Sequence, residues 1–239
     1  MNVKFTVITV CYNAAATIRE TIASVLGQTY RELEYIVVDG QSNDGTVGIL
    51  QSIADERLTF ISEKDSGIYD AMNKGLKMAS GDYLIFLGAD DTFFDKNVLQ
   101  EVAAKLTGND DVVYGDVLLK KRQKLYNGPF TRWTWGHRNI SHQCIFYPKS
   151  VYGRYRYDER YRSVADWDYN LRLLTDGIRF TYIRQTICTF NDTDGLSSST
   201  KDYNFLKVQR QKVCRAVGVL PYCWGMLQRA KRRLLNEQW

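Results

Sequence analysis

The sequence has few of the features that mark disordered, fibrous or membrane-spanning proteins. It contains three prolines among 239 residues, and 44% of its residues are hydrophobic and 25% are charged, which is typical of a globular domain. No apolar run approaches the ~20 residues that a membrane-spanning helix requires, and the first residues lack the basic and apolar segments of a signal peptide. We therefore expect a cytoplasmic domain, long enough to bury a full hydrophobic core.

Cysteine pairs with metal-binding or redox spacing are also missing. The five cysteines are scattered, and none belongs to a Cys-x-x-Cys pair, so neither a zinc site nor a dithiol site is indicated. We expect them to be reduced and mostly buried. Asn139 and Asn191 match the N-glycosylation pattern, but without a secretory signal this pattern carries no weight.

The net charge of +5 is distributed unevenly. Residues 201–239 contain nine Lys and Arg against two acidic residues and carry +7, so residues 1–200 carry −2. The basic character therefore belongs to the C-terminal segment, which disfavours a nucleic-acid-binding body.

Strands and helices alternate in the first half of the sequence. Apolar and β-branched runs predict strands over 4–10, 34–38, 58–62, 82–87 and 112–114. Helical spacing predicts helices over 16–26, 45–53, 68–79 and 97–106. This order indicates an α/β fold with a Rossmann-like, mostly parallel sheet flanked by helices, in which ligands bind beyond the carboxyl ends of the strands.

The alternation is lost in the second half. We expect a hairpin over 117–126, an aromatic loop over 130–142, a helix over 166–174, a strand over 180–189, a polar loop over 191–200, and basic helix from 203 onward. Boundaries are therefore expected near residues 115 and 200.

Polar and acidic residues follow each of the first four predicted strands, in the segments 11–13, 39–46, 63–67 and 88–91. Helix capping can explain the polar residues at any one of these strand ends. It is an improbable explanation for all four strand ends together. Gly40 and Gly45 have the outer spacing of a P-loop, yet Thr46 and Val47 replace its Lys and Ser/Thr. No Gly-x-Gly-x-x-Gly follows the first strand, so the common dinucleotide motif is absent as well.

Asp90 and Asp91 are adjacent carboxylates at the end of an apolar strand. Such a pair is unfavourable unless a cation offsets the repulsion and the desolvation. A helix N-cap before Phe93 explains one aspartate but not two. The pair therefore indicates a divalent Mg²⁺ or Mn²⁺ site.

Four segments, in order and correctly spaced, resemble the family 2 inverting glycosyltransferases of the GT-A fold. The segments are 6–13 (TVITVCYN), 28–46 (from QTY to EYIVVDGQSNDGT), 62–75 (SEKDSGIYDAMNKG) and 79–91 (ASGDYLIFLGADD). The resemblance is dense over the first 95 residues and looser from 110 to 200. It implies a nucleotide-sugar-binding half at 1–115, an acceptor-binding and catalytic-base half of the same domain at 116–200, and a helical tail at 201–239.

The resemblance also implies a set of donor contacts. Asp39 is expected to accept the imide N–H of a uracil or thymine ring, and Thr9, Tyr12 and Asn13 to line the base and the ribose.

Further contacts to the diphosphate and the donor sugar are expected from residues later in the chain. Asp70 and Lys74 lie one helical turn apart, so both could face the diphosphate-sugar, although a plain i,i+4 salt bridge explains them equally well. Asp65 lies in the turn before them. His142 is expected at the donor or acceptor, or else as a structural histidine, and Ser197 in a loop that closes over the diphosphate.

Metal and base roles are implied in the same way. Asp90 and Asp91 occupy the Asp-x-Asp position of the family, with Asp91 as the direct ligand to Mn²⁺ or Mg²⁺, while Gly88 and Ala89 depart from the commoner acidic residue there. Asp90 also faces the nucleotide.

The general base of the family is the aspartate of a Glu-Asp pair that opens a helix, which corresponds to Asp166 here. Ala165 replaces the glutamate. Asp168 is the reserve candidate, and a helix-capping role for Asp166 remains open.

The C-terminal segment is read from its residues alone. Cys223, Met226, Leu227, Ala230 and Leu234 follow helical spacing, and arginines fall on the other faces, so a basic amphipathic helix is expected. It either packs on the domain or contacts a surface of anionic lipid.

Together these observations predict transfer of a sugar from a UDP- or dTDP-sugar to a hydroxyl of a lipid-linked saccharide in cell-surface polysaccharide assembly. Two alternatives stay open. A nucleotidyltransferase needs a Gly-rich basic loop after the first strand, and residues 11–17 contain neither glycine nor a basic residue. An inactive nucleotide-sugar-binding paralogue is suggested by Ala165 and Ala89.

Overall fold

A nine-stranded sheet forms the centre of the protein in a computed structural model, which describes residues 3–108, 111–193 and 202–234. The strands are β1 (Phe5–Cys11), β2 (Leu33–Asp39), β3 (Leu58–Ser62), β4 (Tyr83–Phe86), β5 (Thr92–Phe93), β6 (Val112–Leu119), β7 (Lys124–Tyr126), β8 (Ile145–Pro148) and β9 (Phe180–Phe190). The helices are α1 (Ile18–Leu26), α2 (Thr46–Gln51), α3 (Ile68–Met78), α4 (Val98–Lys105), α5 (Arg132–Trp135), α6 (Lys149–Tyr152), α7 (Ala165–Thr175), α8 (Tyr203–Val217) and α9 (Val219–Leu234), with a 3₁₀ turn at His142–Cys144. In the described part of the chain, no helix is long and apolar enough to span a membrane.

The first half of the sheet is parallel, as the alternating pattern predicts. Its strand order is β3-β2-β1-β4, and the register pairs Cys11 with Asp39 and Asp39 with Ser62. Four strands therefore end at one edge, because parallel strands in register bring their carboxyl ends together. This half buries almost every residue of β1, β2 and β4, which explains their nearly continuous apolar runs.

The second half of the sheet is mixed, and here the expectation of a mostly parallel sheet is too simple. β8 lies between β4 and β6 and is antiparallel to both, while β6 and β9 are parallel and β5 is antiparallel to β9. The sequence does not reveal β8, because four buried residues after a short turn show no periodicity.

Strand β6 continues through residue 115, where the sequence predicts a boundary between a strand and a hairpin. The predicted strand 112–114 and the start of the predicted hairpin belong to this one strand, which pairs with β7 from Val117 to Leu119. The register shifts around Gly115, where an added Cβ would lie 2.4 Å from the carbonyl oxygen of Gln185. Glycine is needed there because β9 approaches too closely for a side chain.

The C-terminal helices pack on the domain. The side chain of Asp202 caps α8 by accepting from the backbone amide of Phe205, and Phe205 itself is buried. Asp168 on α7 is fully buried and pairs with Arg172 at 2.9 Å and with Lys212 of α8. The reserve candidate for the general base is therefore a structural ion-pair residue, since both oxygens of this buried carboxylate are paired with cations.

We expect Asp168→Asn to lower the free energy of unfolding by about 2 kcal/mol, measured by denaturant titration. This is below the 3–5 kcal/mol typical of a broken buried pair, because the two cations are partly exposed. Glu63→Gln is the matched control: Glu63 is 56% exposed and pairs with Lys74, so its loss should cost less than about 1 kcal/mol. Equal effects of the two substitutions would contradict the structural role of Asp168.

Candidate active site

A large cleft opens at the carboxyl edge of the parallel strands, with a volume of about 2220 Å³. Its walls come from the ends of β1 and β4, the turn before α3, the β6–β7 hairpin, the segment around the 3₁₀ turn, and the start of α7. Residues from both halves of the sequence therefore meet in this one cleft. The predicted site residues that line it are Tyr12, Asn13, Asp65, Asp70, Asp90, Asp91, His142 and Asp166.

Asp39 lies at the end of β2 and is completely shielded from solvent. It accepts from the backbone amide and the hydroxyl of Ser42, from the Ser62 hydroxyl at 2.7 Å, and from the Cys11 thiol at 3.6 Å. Burial by itself raises the pKa of Asp39, but these hydrogen bonds outweigh it and hold the pKa below its ordinary value. The carboxylate is charged, and its acceptor positions are occupied.

Of the three residues expected beside Asp39, two face the cleft. Tyr12 is 64% exposed, and Asn13 has φ 52° and accepts from the backbone amide of Asn43 at 3.0 Å. Thr9 does not line the cleft: it is fully buried in β1 and accepts from the Tyr35 hydroxyl at 3.0 Å. Alternating side chains on a strand point to opposite faces, so a position near the strand end can still belong to the core.

The turn before α3 is organised by two aspartates. Asp65 accepts from the amide of Gly67 at 2.9 Å, and Asp70 accepts from the amide of Ser66 at 2.9 Å. This backbone hydrogen bond, together with the nearby Lys74, lowers the pKa of Asp70. Both carboxylates lie at the wall of the cleft.

Lys74 forms the salt bridge that the sequence leaves open as an alternative to a phosphate contact. Its Nζ lies 2.9 Å from Glu63, 3.6 Å from Asp70 and 2.8 Å from the carbonyl oxygen of Lys64, and its side chain does not line the cleft. These contacts tie Lys74 to the turn before α3.

Asp91 is the most unusual carboxylate of the cleft. It is 1% exposed, and its Oδ1 accepts from the amide of Asn191 at 2.8 Å, while its Oδ2 is buried without a hydrogen-bond partner. Burial raises the pKa of Asp91 to about 7, Asp90 adds to this rise, and His142 opposes it. Asp90 is exposed and accepts from the Asn191 side chain at 3.0 Å.

Gly88 explains how two carboxylates fit at this strand end. A Cβ at residue 88 would lie 2.5 Å from Asp91 Oδ2 and 3.2 Å from Asp90 Oδ1. Glycine at residue 88, in place of the acidic residue that is commoner in the family, therefore leaves room for both carboxylates close to the backbone.

The donor set of this strand end fits a divalent cation. Asp91 offers an unpartnered buried oxygen, and Asp90 stands beside it at the cleft. Within the described ranges, no group of three or more His, Cys, Asp or Glu residues forms a ready-made metal cage. Two carboxylates with remaining positions open to phosphate oxygens are the usual environment of Mg²⁺ or Mn²⁺ in nucleotide sites.

Asp166 lies at the start of α7 with its side chain in the cleft. Asn139 donates to its Oδ2 at 3.0 Å, and His142 Nδ1 lies 3.5 Å from the same oxygen. The Tyr69 hydroxyl is 3.4 Å from Oδ1, and burial raises the pKa of Tyr69, which keeps that hydroxyl protonated. The side chain of Asp166 is therefore held by three polar groups of the cleft rather than by the helix end.

The side chain of Asn139 is itself oriented by hydrogen bonds from the core. Asn170 donates to its Oδ1 at 2.9 Å, and the Tyr147 hydroxyl donates to Asn170 at 2.9 Å. A hydrogen-bonded chain thus runs from the buried core to Asp166 and orients its carboxylate.

Sequence reasoning missed Asn139, Asn191 and Tyr69 as site residues. The two asparagines match only the glycosylation pattern, and nothing in a pattern of three residues indicates a carboxylate partner 27 or 100 positions away. Ser197 lies outside the described residues.

A family model described as glycosyl transferase family 2 matches residues 6–169 of the chain. The chain therefore belongs to glycosyl transferase family 2, as the four sequence segments predict.

Two relatives illustrate the range of the family. A PGL/p-HBAD biosynthesis glycosyltransferase of Mycobacterium tuberculosis is 37% identical over 212 residues, which cover 85% of this chain and 82% of the relative. The Escherichia coli UDP-Glc:alpha-D-GlcNAc-diphosphoundecaprenol beta-1,3-glucosyltransferase WfgD is 35% identical over 106 residues, or 44% of this chain and 42% of that protein.

Two solved structures share the fold. Staphylococcus aureus TarS 1-349 in complex with UDP-GlcNAc superposes with a TM-score of 0.72 at 21% identity, over 89% of this chain and 66% of that chain. The mannosyltransferase PcManGT from Pyrobaculum calidifontis, in complex with GDP-Man and Mn²⁺, superposes with a TM-score of 0.67 at 16% identity, over 99% and 76%. In a longer TarS structure this chain spans 39% of the length. At these identities the likeness confirms the GT-A fold alone.

The pKa of Asp91 predicts a pH dependence of stability. The folded protein keeps this proton up to about pH 7, whereas the unfolded chain releases it near pH 4. The contribution of the Asp91 proton to the free energy of unfolding is thus complete below about pH 4. It is lost as the pH rises to about 7. Asp91→Asn should therefore gain about 2 to 4 kcal/mol over the wild type between pH 4 and pH 8, measured by denaturant titration with a chelator present.

A second arm of the same experiment adds Mn²⁺ at pH 7. The cation should stabilise the wild type more than Asp91→Asn, because it replaces the proton on a carboxylate that only the wild type has. A difference between the two proteins that stays constant from pH 4 to pH 8 would contradict the assigned environment of Asp91.

Proposed function

We propose that this glycosyl transferase family 2 chain is an inverting enzyme that transfers a sugar from a UDP- or dTDP-sugar to a hydroxyl of a lipid-linked saccharide in cell-surface polysaccharide assembly. The observation that carries the proposal is the pairing, in one cleft, of the carboxylates Asp90 and Asp91 with the oriented carboxylate Asp166. The first pair suits a metal-bound diphosphate, and Asp166 suits a general base. The relatives named above support the class of reaction.

Asp166 is proposed as the base that takes the proton of the acceptor hydroxyl. Its Oδ2 is occupied by Asn139 and lies near His142, while from the described residues Oδ1 receives just the long contact of Tyr69. Oδ1 is therefore the oxygen available to the acceptor, which would attack the anomeric carbon from the face opposite the leaving diphosphate.

Asp90 and Asp91 are proposed to hold Mn²⁺ or Mg²⁺, which when bound offsets the charge that builds on the departing diphosphate. A related fold binds GDP-Man together with Mn²⁺. Asp91 would be the direct ligand through Oδ2, and Asn191 would keep both carboxylates turned toward the cleft through its amide contacts.

The donor nucleotide is proposed to lie along residues 1–115, between Tyr12, Asn13 and the turn that holds Asp65 and Asp70. TarS binds UDP and UDP-GlcNAc in a domain of the same fold. Asp39 would accept the imide N–H of the base, but its occupied acceptor positions mean that a hydroxyl of Ser42 or Ser62 must first give way.

The acceptor is proposed to enter between the β6–β7 hairpin and the segment 159–167, in the half 116–200. The WfgD name describes a diphosphoundecaprenol-linked acceptor, which supports a lipid-linked saccharide here. A lipid-linked acceptor is held at a membrane, so peripheral contact through the C-terminal helices is part of the proposal.

We expect Asp166→Asn to lower kcat for sugar transfer by about 10² to 10⁴-fold, the range that a general base contributes. Nucleotide binding should be unchanged, because Asp166 does not contact the donor-side carboxylates. The matched control is Asp176→Asn, at the exposed C-terminal end of the same helix, which should keep full activity. Wild-type activity in the Asp166 variant, or a wild type that binds donor without turnover, would favour the inactive paralogue instead.

Asn139→Ala should lower kcat by about tenfold and leave KM for the donor unchanged, because it removes the hydrogen bond that orients Asp166 without touching the nucleotide. Asn139→Asp adds a like charge beside Asp166 and should instead shift the acidic limb of the kcat profile to higher pH. A purely structural role for Asn139 would lower thermal stability and leave the pH profile in place.

Calorimetric titration with UDP, dTDP and GDP, each with and without Mn²⁺, tests the donor site. One pyrimidine diphosphate should bind in the presence of metal and lose at least about tenfold in affinity in Asp91→Ala. Failure of all three nucleotides to bind with metal present would remove the donor-site proposal.

A further inference from the structure

Helix α9 presents its apolar side to solvent. The exposed fractions are 73% for Leu220, 65% for Leu227, 60% for Val219, 53% for Met226 and 46% for Trp224. Cys223 and Ala230 are exposed as well. These seven residues, which we call the α9 outer face, fall on one continuous side of the helix at 100° per residue.

The opposite side of α9 holds it against the domain. Pro221 and Gly225 are buried, and a Cβ at residue 225 would lie 2.4 Å from the carbonyl oxygen of Gly136. The Arg229 guanidinium lies 5.5 Å from the centre of the Trp167 ring. Only glycine permits this approach of α9 to α5, so the helix cannot rotate to bury its leucines without a steric clash.

A second aromatic side chain extends the α9 outer face. Trp133 of α5 is 46% exposed and packs edge-on against Trp224, with ring centres 6.2 Å apart. Two adjacent half-exposed tryptophans with leucines beside them are typical of surfaces that enter the boundary between lipid headgroups and acyl chains.

The two C-terminal helices carry charge of one sign over residues 203–231. Residues 203–231 contain no aspartate or glutamate. Between residues 203 and 231, Lys212 pairs with Asp168 and Arg229 contacts Trp167, while the remaining four basic residues are exposed. They are Lys207, Arg210, Arg215 and Lys231.

We propose that the α9 outer face, together with Trp133, docks on an anionic lipid bilayer. Apolar side chains would enter the headgroup boundary, and the exposed lysines and arginines would contact lipid phosphates. A second copy of this chain is a poorer occupant, because a symmetric contact would bring two basic surfaces together. The inference deepens the lipid-linked acceptor of the proposed function and rests on it for its purpose, although lipid binding itself requires no catalysis.

Sedimentation with vesicles tests the docking surface without nucleotide or acceptor. The full chain should bind vesicles of phosphatidylcholine with phosphatidylglycerol, bind pure phosphatidylcholine much less, and lose binding at high salt. The double variant Leu220→Ser with Leu227→Ser should lose at least about tenfold in partitioning. Phe94→Ser is the matched control, because Phe94 is 47% exposed but lies on the β5 edge, away from α9, and should bind as the wild type does.

Two further measurements keep the outcomes distinct. Arg210→Gln with Arg215→Gln should weaken binding at low salt and leave the fold unchanged, as judged by the melting temperature. Light scattering of the wild type and the leucine variant reports self-association: a wild-type dimer that dissociates in the variant, or absence of binding to anionic vesicles, overturns the proposal.

The leucine variant should keep wild-type transfer to a water-soluble acceptor, since its residues lie outside the cleft. Vesicle binding without any sugar transfer would therefore refute the proposed function alone. Transfer without vesicle binding would refute the docking surface alone.

Discussion

The parallel register of β1 to β4 places several carboxylates at one edge of the sheet, and the protein has to accommodate their repulsion. It does so in different ways. Asp39 is buried but saturated with hydrogen bonds, and Asp70 accepts from a backbone amide beside a lysine, so the pKa of each is lowered. Asp91, at the end of β4, is buried with one oxygen unpartnered, and its pKa is raised to about 7. The chemistry of the cleft follows from this difference, because an unsatisfied carboxylate is the one that gains most from a cation.

Helix α7 shows how one element serves structure and site together. Asp166 and Asp168 are two residues apart and so point about 200° away from each other. One reaches Asn139 and Tyr69 in the cleft, and the other reaches Arg172 and Lys212 behind the helix. The ion pairs of Asp168 anchor α8 and fix the position of α7, and thereby that of Asp166. A C-terminal segment that resembles no family motif thus supports the residue proposed as the base.

The amphipathic character of α9 is inverted with respect to an ordinary packed helix. Pro221 and Gly225 face the domain, whereas Leu220, Met226, Leu227 and other apolar residues face outward. A sequence pattern shows that a helix has two sides but gives no information about which side meets the protein. Here the close contact of Gly225 with Gly136 decides the orientation.

The sequence by itself determined the family, through four spaced motifs, and the parallel half of the sheet, through local apolar runs. It also indicated several of the polar residues that line the cleft. Asp90 and Asp91 were indicated by their position after an apolar strand, and Asp166, Tyr12 and Asn13 by the resemblance to the family. The structure brings all five into one cleft. Only the tertiary structure decided which polar residues pair with one another. Thr9 belongs to the core, Lys74 to a salt bridge and Asp168 to an ion pair with α8, while Asn139 and Asn191 hold the carboxylates of the cleft. The physical reason is that hydrogen bonds and ion pairs depend on distances between atoms far apart in the chain, and these distances exist only after the sheet and its helices have packed.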